Sequence, residues 1–285
     1  GVGNSCDVCP GEDDFDYLPN YLGQWDTLLE RERFVINDLG DIYLINRDTM
    51  TIKRYSSEEE LIWEREIDYV PEAIILNEEM DIYISTNTRD ILKLDSEGNL
   101  IRSYQTGLNS DRDITVDSEN NIYYISLNTL FKLDSDGRQV FYESFLGSIF
   151  ESIDIDNHRN VYVVDRNNNR VLIFNSEGEM ISEWTGNELE VFSSPSIIDI
   201  DNQRKIYVVS DRGRPSARID VFDQERNFLY QISNEEEVRL FTIRDIAVSN
   251  EGIIHVLVGI TETILHQFSF DPLDEDGDGI DDRCP

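Results

Sequence analysis

Ser152–Gly186 reads SIDIDNHRNVYVVDRNNNRVLIFNSEGEMISEWTG. It splits into four short strands. Ser152–Asp156 alternates apolar and polar residues, and Asn157-His158-Arg159-Asn160 turns the chain. Val161–Val164 is a β-branched and aromatic run, followed by a second turn over 165–169. Val171–Phe174 is the third strand, Asn175-Ser176-Glu177-Gly178 the third turn and Met180–Trp184 the fourth strand. Period-two runs bounded by Asn, Asp and Gly clusters mark strands and turns.

The unit repeats along the chain. Its second strand carries an Ile/Val-Tyr pair at 42–43, 82–83, 122–123, 161–162 and 206–207, and Ile254-His255 is a sixth, degenerate copy. A period of about 40–50 residues with four strands per copy predicts a β-propeller. A single four-stranded sheet cannot cover both its faces, so the copies must stack as blades around an axis. Six copies predict six blades, an all-β fold over 17–270.

One strand lies out of order. Leu22-Gly23-Gln24-Trp25 lines up with the fourth strands Ile181-Ser182-Glu183-Trp184 and Ile101-Arg102-Ser103-Tyr104, yet it precedes the first inner strand, Phe34–Asn37. The last copy offers Ile246–Ser249, Ile253–Val258 and Ile264–Phe270, then Pro272 and an acidic run, with no fourth strand. The N-terminal strand is expected to complete blade six, close the ring and remove an unpaired edge.

Val161–Trp184, with its aspartate, Asn run, Arg170 and V-L-I-F, resembles NHL-type repeats over roughly residues 20–270. The Gly-His and Trp-Asp marks of WD40 blades are absent. The resemblance implies the fold; its members include binding scaffolds, structural modules and a few enzymes.

The 285 residues carry 59 acids and 24 bases, a formal charge of −35. Such a surface repels phosphate backbones and anionic membranes, so nucleic acid is excluded as a partner class and divalent cations are favoured. No apolar run approaches the roughly 18 residues of a membrane span. No signal peptide is visible, no Asn-x-Ser/Thr sequon occurs, and the opening in mid-motif suggests a mature or excised piece of a longer chain.

Catalytic chemistry has few candidates. Propeller sites gather at the channel, where the inner strands begin. The residues there are Arg33, Glu72, Arg112-Asp113, Glu151, Ser196 and Arg244-Asp245. A ring of Glu72, Asp113, Glu151 and Asp245 could hold a cation, as in the lactonase-like six-bladed propellers, which resemble this chain in blade count only. Acids alternating with arginines read more simply as a salt-linked rim. His158, His255 and His266 fall in different places, and no Gly-x-Ser-x-Gly or phosphate loop exists. Asp165 and Arg170 read as turn partners, and the repeated tyrosines as packing between blades. The loop Ser210–Ala217, with Arg218 after it, is a local basic spot: its arginines pair with nearby acids or meet an acidic neighbour.

The ends differ in kind. Residues 1–16, GVGNSCDVCPGEDDFD, and 271–285, DPLDEDGDGIDDRCP, lack apolar periodicity. Asp274, Asp276 and Asp278 alternate and then meet Gly279. Calcium takes about six to eight oxygens at roughly 2.3–2.6 Å. Asp274, Asp276, Asp278, the carbonyl of Ile280 and Asp282 supply such a set. Position 12 of an EF-hand would be Pro285, so this is not one. The run is similar to a thrombospondin type 3 repeat, Asp-x-Asp-x-Asp-Gly-x-x-Asp with a following cysteine, and Gly1–Pro10 with Cys6 and Cys9 resembles the same family. The resemblance implies Ca2+, with Asp13, Asp14 and Asp16 sharing the ions, and a Cys9–Cys284 disulfide at the propeller base, Cys6 pairing outside this sequence. A bridge of that span would contribute roughly 5 kcal/mol. A local Cys6–Cys9 bridge is the rival, and non-reducing peptide mapping separates the two. A zinc pair would need two more ligands.

Cysteines confined to the ends, outside the repeats, suggest an oxidising compartment and hence an extracellular or cell-surface location. The expected role is a calcium-stabilised structural or adhesion module of a surface layer, filament or matrix, touching further copies, neighbouring repeats or a protein or glycan ligand. The alternatives are a secreted lactonase- or lyase-like enzyme and a carbohydrate- or peptide-binding module.

Overall fold

The computed structural model describes residues 20–27, 32–106, 113–186, 192–211, 217–233, 240, 242–249, 251–259 and 263–269. They form six four-stranded antiparallel sheets. Blade one comprises Glu32–Ile36, Ile42–Asn46, Thr51–Tyr55 and Leu61–Glu66. Blade two comprises Pro71–Leu76, Ile82–Thr86, Asp90–Leu94 and Leu100–Gln105, and blade three Asp113–Val116, Ile122–Ser126, Thr129–Leu133 and Gln139–Ser144. Blade four comprises Phe150–Ile155, Val161–Asp165, Arg170–Phe174 and Met180–Trp184, and blade five Pro195–Ile200, Ile206–Asp211, Ala217–Phe222 and Phe228–Ile232. Blade six takes Ile243–Val248, Ile253–Gly259 and Thr263–Ser269, and its outer strand is Asn20–Thr27. That strand pairs antiparallel with the last, from Asn20 opposite Ser269 to Thr27 opposite Thr263. The ring closes as the order of strands requires.

The Ile-Tyr marker has a packing reason. Second strands are buried on both faces, and successive residues point to opposite faces. Tyr83 joins the cluster with blade three, containing Ile114 and Tyr124, while Ile82 and Ile84 join Tyr43 and Trp63 of blade one. Tyr123 likewise faces blade four, Tyr162 blade five and Tyr207 blade six. The core is therefore six interblade clusters rather than one centre. Each fully buried Ile or Val adds about 1.5–3 kcal/mol.

Polar groups lock each blade's own first turn. Asp117 Oδ1 accepts the amides of Glu119 and Asn121 at 3.0 and 2.9 Å, while its Oδ2 accepts the Tyr123 hydroxyl at 3.2 Å. Asp156 with Tyr162 and Asp201 with Tyr207 repeat the arrangement at 3.3 and 3.0 Å. Third-strand cations lie over the tyrosine rings: Arg54 at 5.3 Å from Tyr43, Lys93 at 5.2 Å from Tyr83 and Lys132 at 4.8 Å from Tyr123. Lys132 Nζ then donates to the Ser176 carbonyl of the next blade at 2.9 Å.

Aromatics of outer strands sit on the third-to-fourth turn of the next blade: Trp63 on Gly98, Tyr104 on Gly137 and Phe141 on Gly178. Gly137 has φ +81°, and a Cβ there would come within 2.5 Å of Tyr104 Cδ1. Gly147 has a similar φ of +83° with nothing within 4 Å. Gly137→Ala is expected to cost about 2–3 kcal/mol and Gly147→Ala about 1 kcal/mol, because only the first adds a clash to the left-handed backbone. Urea denaturation measures both, and equal losses would contradict the contact.

Asp165 and Arg170 are turn partners. Asp165 is fully buried, and its Oδ2 accepts Arg170 Nε, Ser148 Oγ and Asn168 Nδ2, each at 2.8 Å. Arg218 is also buried, with Nε 3.0 Å from both oxygens of Asp220. It belongs to the interior of blade five rather than to an exposed basic spot; 212–216 lie outside the described residues.

Candidate functional site

The inner strands start earlier than their apolar pattern suggests. Four of them carry a register shift at the second residue: at Glu72, Glu151, Ser196 and Arg244. A bulge of this kind re-aims the side chains beside it. Glu72 pairs with Arg47 at 2.7 Å and Glu151 approaches Arg166 at 4.0 Å, both at the blade turns. The residues after the bulges line the channel instead: Ala73, Ser152, Ile197 and Asp245, level with Arg33 and Asp113. Of the expected ring, Asp113 and Asp245 face the axis and Glu72 and Glu151 do not. Arg112 lies outside the described residues.

Two carboxylates join them that the position of strand starts does not reveal: Asp154 and Asp199, one layer further down. Their signal was the alternation itself, since each stands two residues beyond a channel-facing position.

All four carboxylates do the same work. An inner strand turns one edge toward the axis, and its buried amides need acceptors. Asp113 Oδ2 accepts the Ile153 amide at 3.1 Å and Ser152 Oγ–H at 2.8 Å. Asp154 Oδ2 accepts the Ile200 amide at 2.7 Å, and Asp199 Oδ2 the Val248 amide at 3.0 Å. Asp245 Oδ2 accepts the Phe34 amide at 3.0 Å, with Arg33 Nη1 at 3.2 Å from its other oxygen. Each amide belongs to the following blade. The aspartates are clasps across the junctions of blades three to four, four to five, five to six and six to one.

Burial raises the pKa of each. It carries Asp154 up to about 7 and Asp245 up to about 6. Burial also raises Asp113, opposed by Arg33 and by its hydrogen bonds from Ser152 and Ile153. Asp199 is driven well above the usual range, first by burial and then by the charges of Asp154 and Asp245. The space among them is about 60 Å³. That admits a few waters, against roughly 300–1,000 Å³ for a site that encloses an organic ligand.

These shifts carry a pH dependence. Asp154 has a folded pKa of about 7 and an unfolded value of about 3.9. Folding therefore takes up a proton between those values. The associated stability is fully present below about pH 4 and is lost as pH rises toward 7. Asp165 has a lowered pKa, held by Asn168, Arg170 and Ser148 against burial, and its contribution is lost only in acid. The melting temperature is expected to fall between pH 5 and pH 8, and the fall should be smaller in Asp154→Asn whatever that variant's absolute stability. An unchanged slope in Asp154→Asn would remove Asp154 from the account.

Histidines do not reach the channel. His158 is exposed in a turn, while His255 and His266 are buried in blade six. Burial lowers His255 to about 4, so it stays neutral. Among the described residues, no group of three or more His, Cys, Asp or Glu side chains is placed to hold a metal ion. Asp13, Asp14, Asp16, Asp274, Asp276, Asp278, Ile280 and Asp282, and Cys6, Cys9 and Cys284, lie outside the described residues.

The fold defines the chain as a six-bladed, all-β propeller of four-stranded blades. Solved structures agree. It is similar to a streptogramin B lyase at 16% identity and a TM-score of 0.62, over 82% of this chain and 77% of that one. It is similar to virginiamycin B lyase from Staphylococcus aureus at 15% identity and a TM-score of 0.61, over 83% and 79%. A Bacteroides caccae protein of unknown function matches at 11% identity and a TM-score of 0.62, over 75% and 84%. At such identities the likeness concerns the fold. No family model and no curated protein matches the chain, so the resemblances to NHL and thrombospondin type 3 repeats rest on the residues quoted for them.

Proposed function

We propose that this chain is a rigid extracellular contact module set between calcium-binding segments, a building block of a surface layer, filament or matrix. One observation carries the reading: the channel carboxylates serve as clasps between blades and leave about 60 Å³. The working surface is then the outside of the disk. Asp274, Asp276, Asp278, Ile280 and Asp282 would hold calcium, with Asp13, Asp14 and Asp16 beside them. Calorimetric titration with calcium, followed by proteolysis with and without chelator, tests this. The termini should become cleavable on chelation while the blades persist. A chain that takes up no calcium would refute the reading.

A second reading is a propeller enzyme of lyase type. The solved-structure comparisons stand closer to it than to adhesion, since two of the similar structures are lyases. Asp154, raised to about 7, has the pKa of a general base at neutral pH. A further similar structure is a catalytically inactive histidine-to-alanine variant of virginiamycin B lyase with quinupristin, at 14% identity and a TM-score of 0.59, over 82% and 79%. Incubation with quinupristin, followed by chromatography, separates the readings. Conversion that Asp154→Asn abolishes would establish the enzyme, and no conversion leaves the contact module.

A further inference from the structure

The face bearing the first turns carries a groove between blades four and five. One part, of about 180 Å³, runs past Asn157 and His158; a more open part, of about 430 Å³, runs past Gln203 and Lys205. Both are lined by Arg204, Gln224 and Glu225, so the two spaces meet there.

Arg204 and Lys205 line this groove without a carboxylate partner among the described residues, whereas several other cations have one. In a chain of 59 acids and 24 bases, cations normally find carboxylates. Lys53 pairs with Glu64 at 3.4 Å and Lys93 with Asp81 at 2.7 Å, and Lys132 is pinned to a carbonyl. Lys205, half-buried in the groove, has no ammonium partner among the described residues. Arg204 Nη1 donates to the neutral amide oxygen of Gln224 at 2.8 Å, and Arg226 Nη1 to the Ser182 hydroxyl at 2.9 Å.

Each of these turns holds one residue at positive φ, as the equivalent turns of the other blades do. Arg204 and Arg226 both have φ +68°. The position of Arg204 is held by Gly40 and Gly252 in blades one and six and by Met80, Asn120 and Arg159 in blades two to four; that of Arg226 is held by Glu59 in blade one and by Gly98, Gly137 and Gly178 in blades two to four. An arginine at positive φ costs on the order of 1 kcal/mol.

We propose that this groove binds the carboxylate of an acidic sugar, a uronate of a surface glycan, through Arg204 and Lys205. The idea rests on the contact-module reading and names that module's partner. Arginine and lysine give a carboxylate charge-assisted hydrogen bonds. Asn157, Gln203, Gln224 and Glu225 offer the mixed donors and acceptors that sugar hydroxyls need. Asp156 and Asp223 are engaged by their own turns, through Asn160 and Asn227. With Glu225 they disfavour a dianion such as sulfate and leave room for a single carboxylate beside hydroxyls.

Calorimetry of the intact chain with tetragalacturonic acid tests the proposal, with its methyl ester and sodium sulfate as controls. One-site, saturable binding is expected for the acid, at least about tenfold weaker for the ester and for sulfate. Lys205→Gln and Arg204→Asn should each weaken it by about fivefold or more, while Lys53→Gln leaves it unchanged. Asn tolerates positive φ, so Arg204→Asn keeps the turn. Absence of saturable binding, equal binding of the ester, or no effect of either groove variant would overturn the site. Conversion of quinupristin would instead refute the contact-module reading on its own axis, whatever the groove binds.

Discussion

Removal of residues 1–27 is expected to leave a chain that no longer melts as a monomeric propeller. Asn20–Thr27 pairs along the whole of Thr263–Ser269, with register partners at seven positions. Without it, the outer edge of blade six loses its hydrogen-bond partners. Leu265, His266 and Phe268, all buried, lose the strand paired beside them. At about 1 kcal/mol net per hydrogen bond, the ladder alone is worth on the order of 5 kcal/mol. That is comparable with the roughly 5–15 kcal/mol stability of a typical domain. An apolar open edge also recruits other chains. The truncated protein should elute as oligomers or aggregate. A peptide of residues 17–30 added in trans should restore the monomer by strand addition. A monomeric truncation with an unchanged melting curve would disprove the closure.

Asp220→Ala should have the largest effect of any single substitution in blade five, about 3–5 kcal/mol. Asp220 is fully buried, with Arg218 Nε at 3.0 Å and Gln231 Nε2 at 2.9 Å. Its loss would remove the carboxylate that faces a buried guanidinium, 6% exposed, which cannot shed its proton. The double substitution Arg218→Met, Asp220→Leu removes both charges and should cost less than Asp220→Ala alone. Urea denaturation of the three proteins decides it. A loss below about 1 kcal/mol in Asp220→Ala would show that water reaches the pair.

The two expectations differ in where they became visible. Closure by Leu22–Trp25 was legible from order alone: a fourth-strand pattern without a blade stood at one end, and a blade without a fourth strand at the other. The pair at Arg218 and Asp220 was not. Arg218 follows a loop rich in arginine and read as part of its basic surface. Alternation along the strand could not say that both faces of blade five are covered.

The same division runs through the site. The Ile-Tyr marker gave six blades because packing between blades repeats with the chain, and each second strand must satisfy two neighbours with residues two apart. Asp165 and Arg170 were legible as turn partners for a similar reason, their hydrogen bond closing within five residues. Asp154 and Asp199 were not, although they lie in plain alternation. Their partners, Ile200 and Val248, belong to the next blade, 46 and 49 residues away. Nor could the strand starts tell which acids face the axis. A bulge at Glu72 or Glu151 is a choice of register between two strands, and composition does not encode it. Local sequence determined strands, turns, blade number and closure, because those rest on contacts within one repeat or on one repeating contact between neighbours. Only the closed ring decided which carboxylates share the channel and how far burial shifts them, because each depends on side chains that ring closure alone brings together.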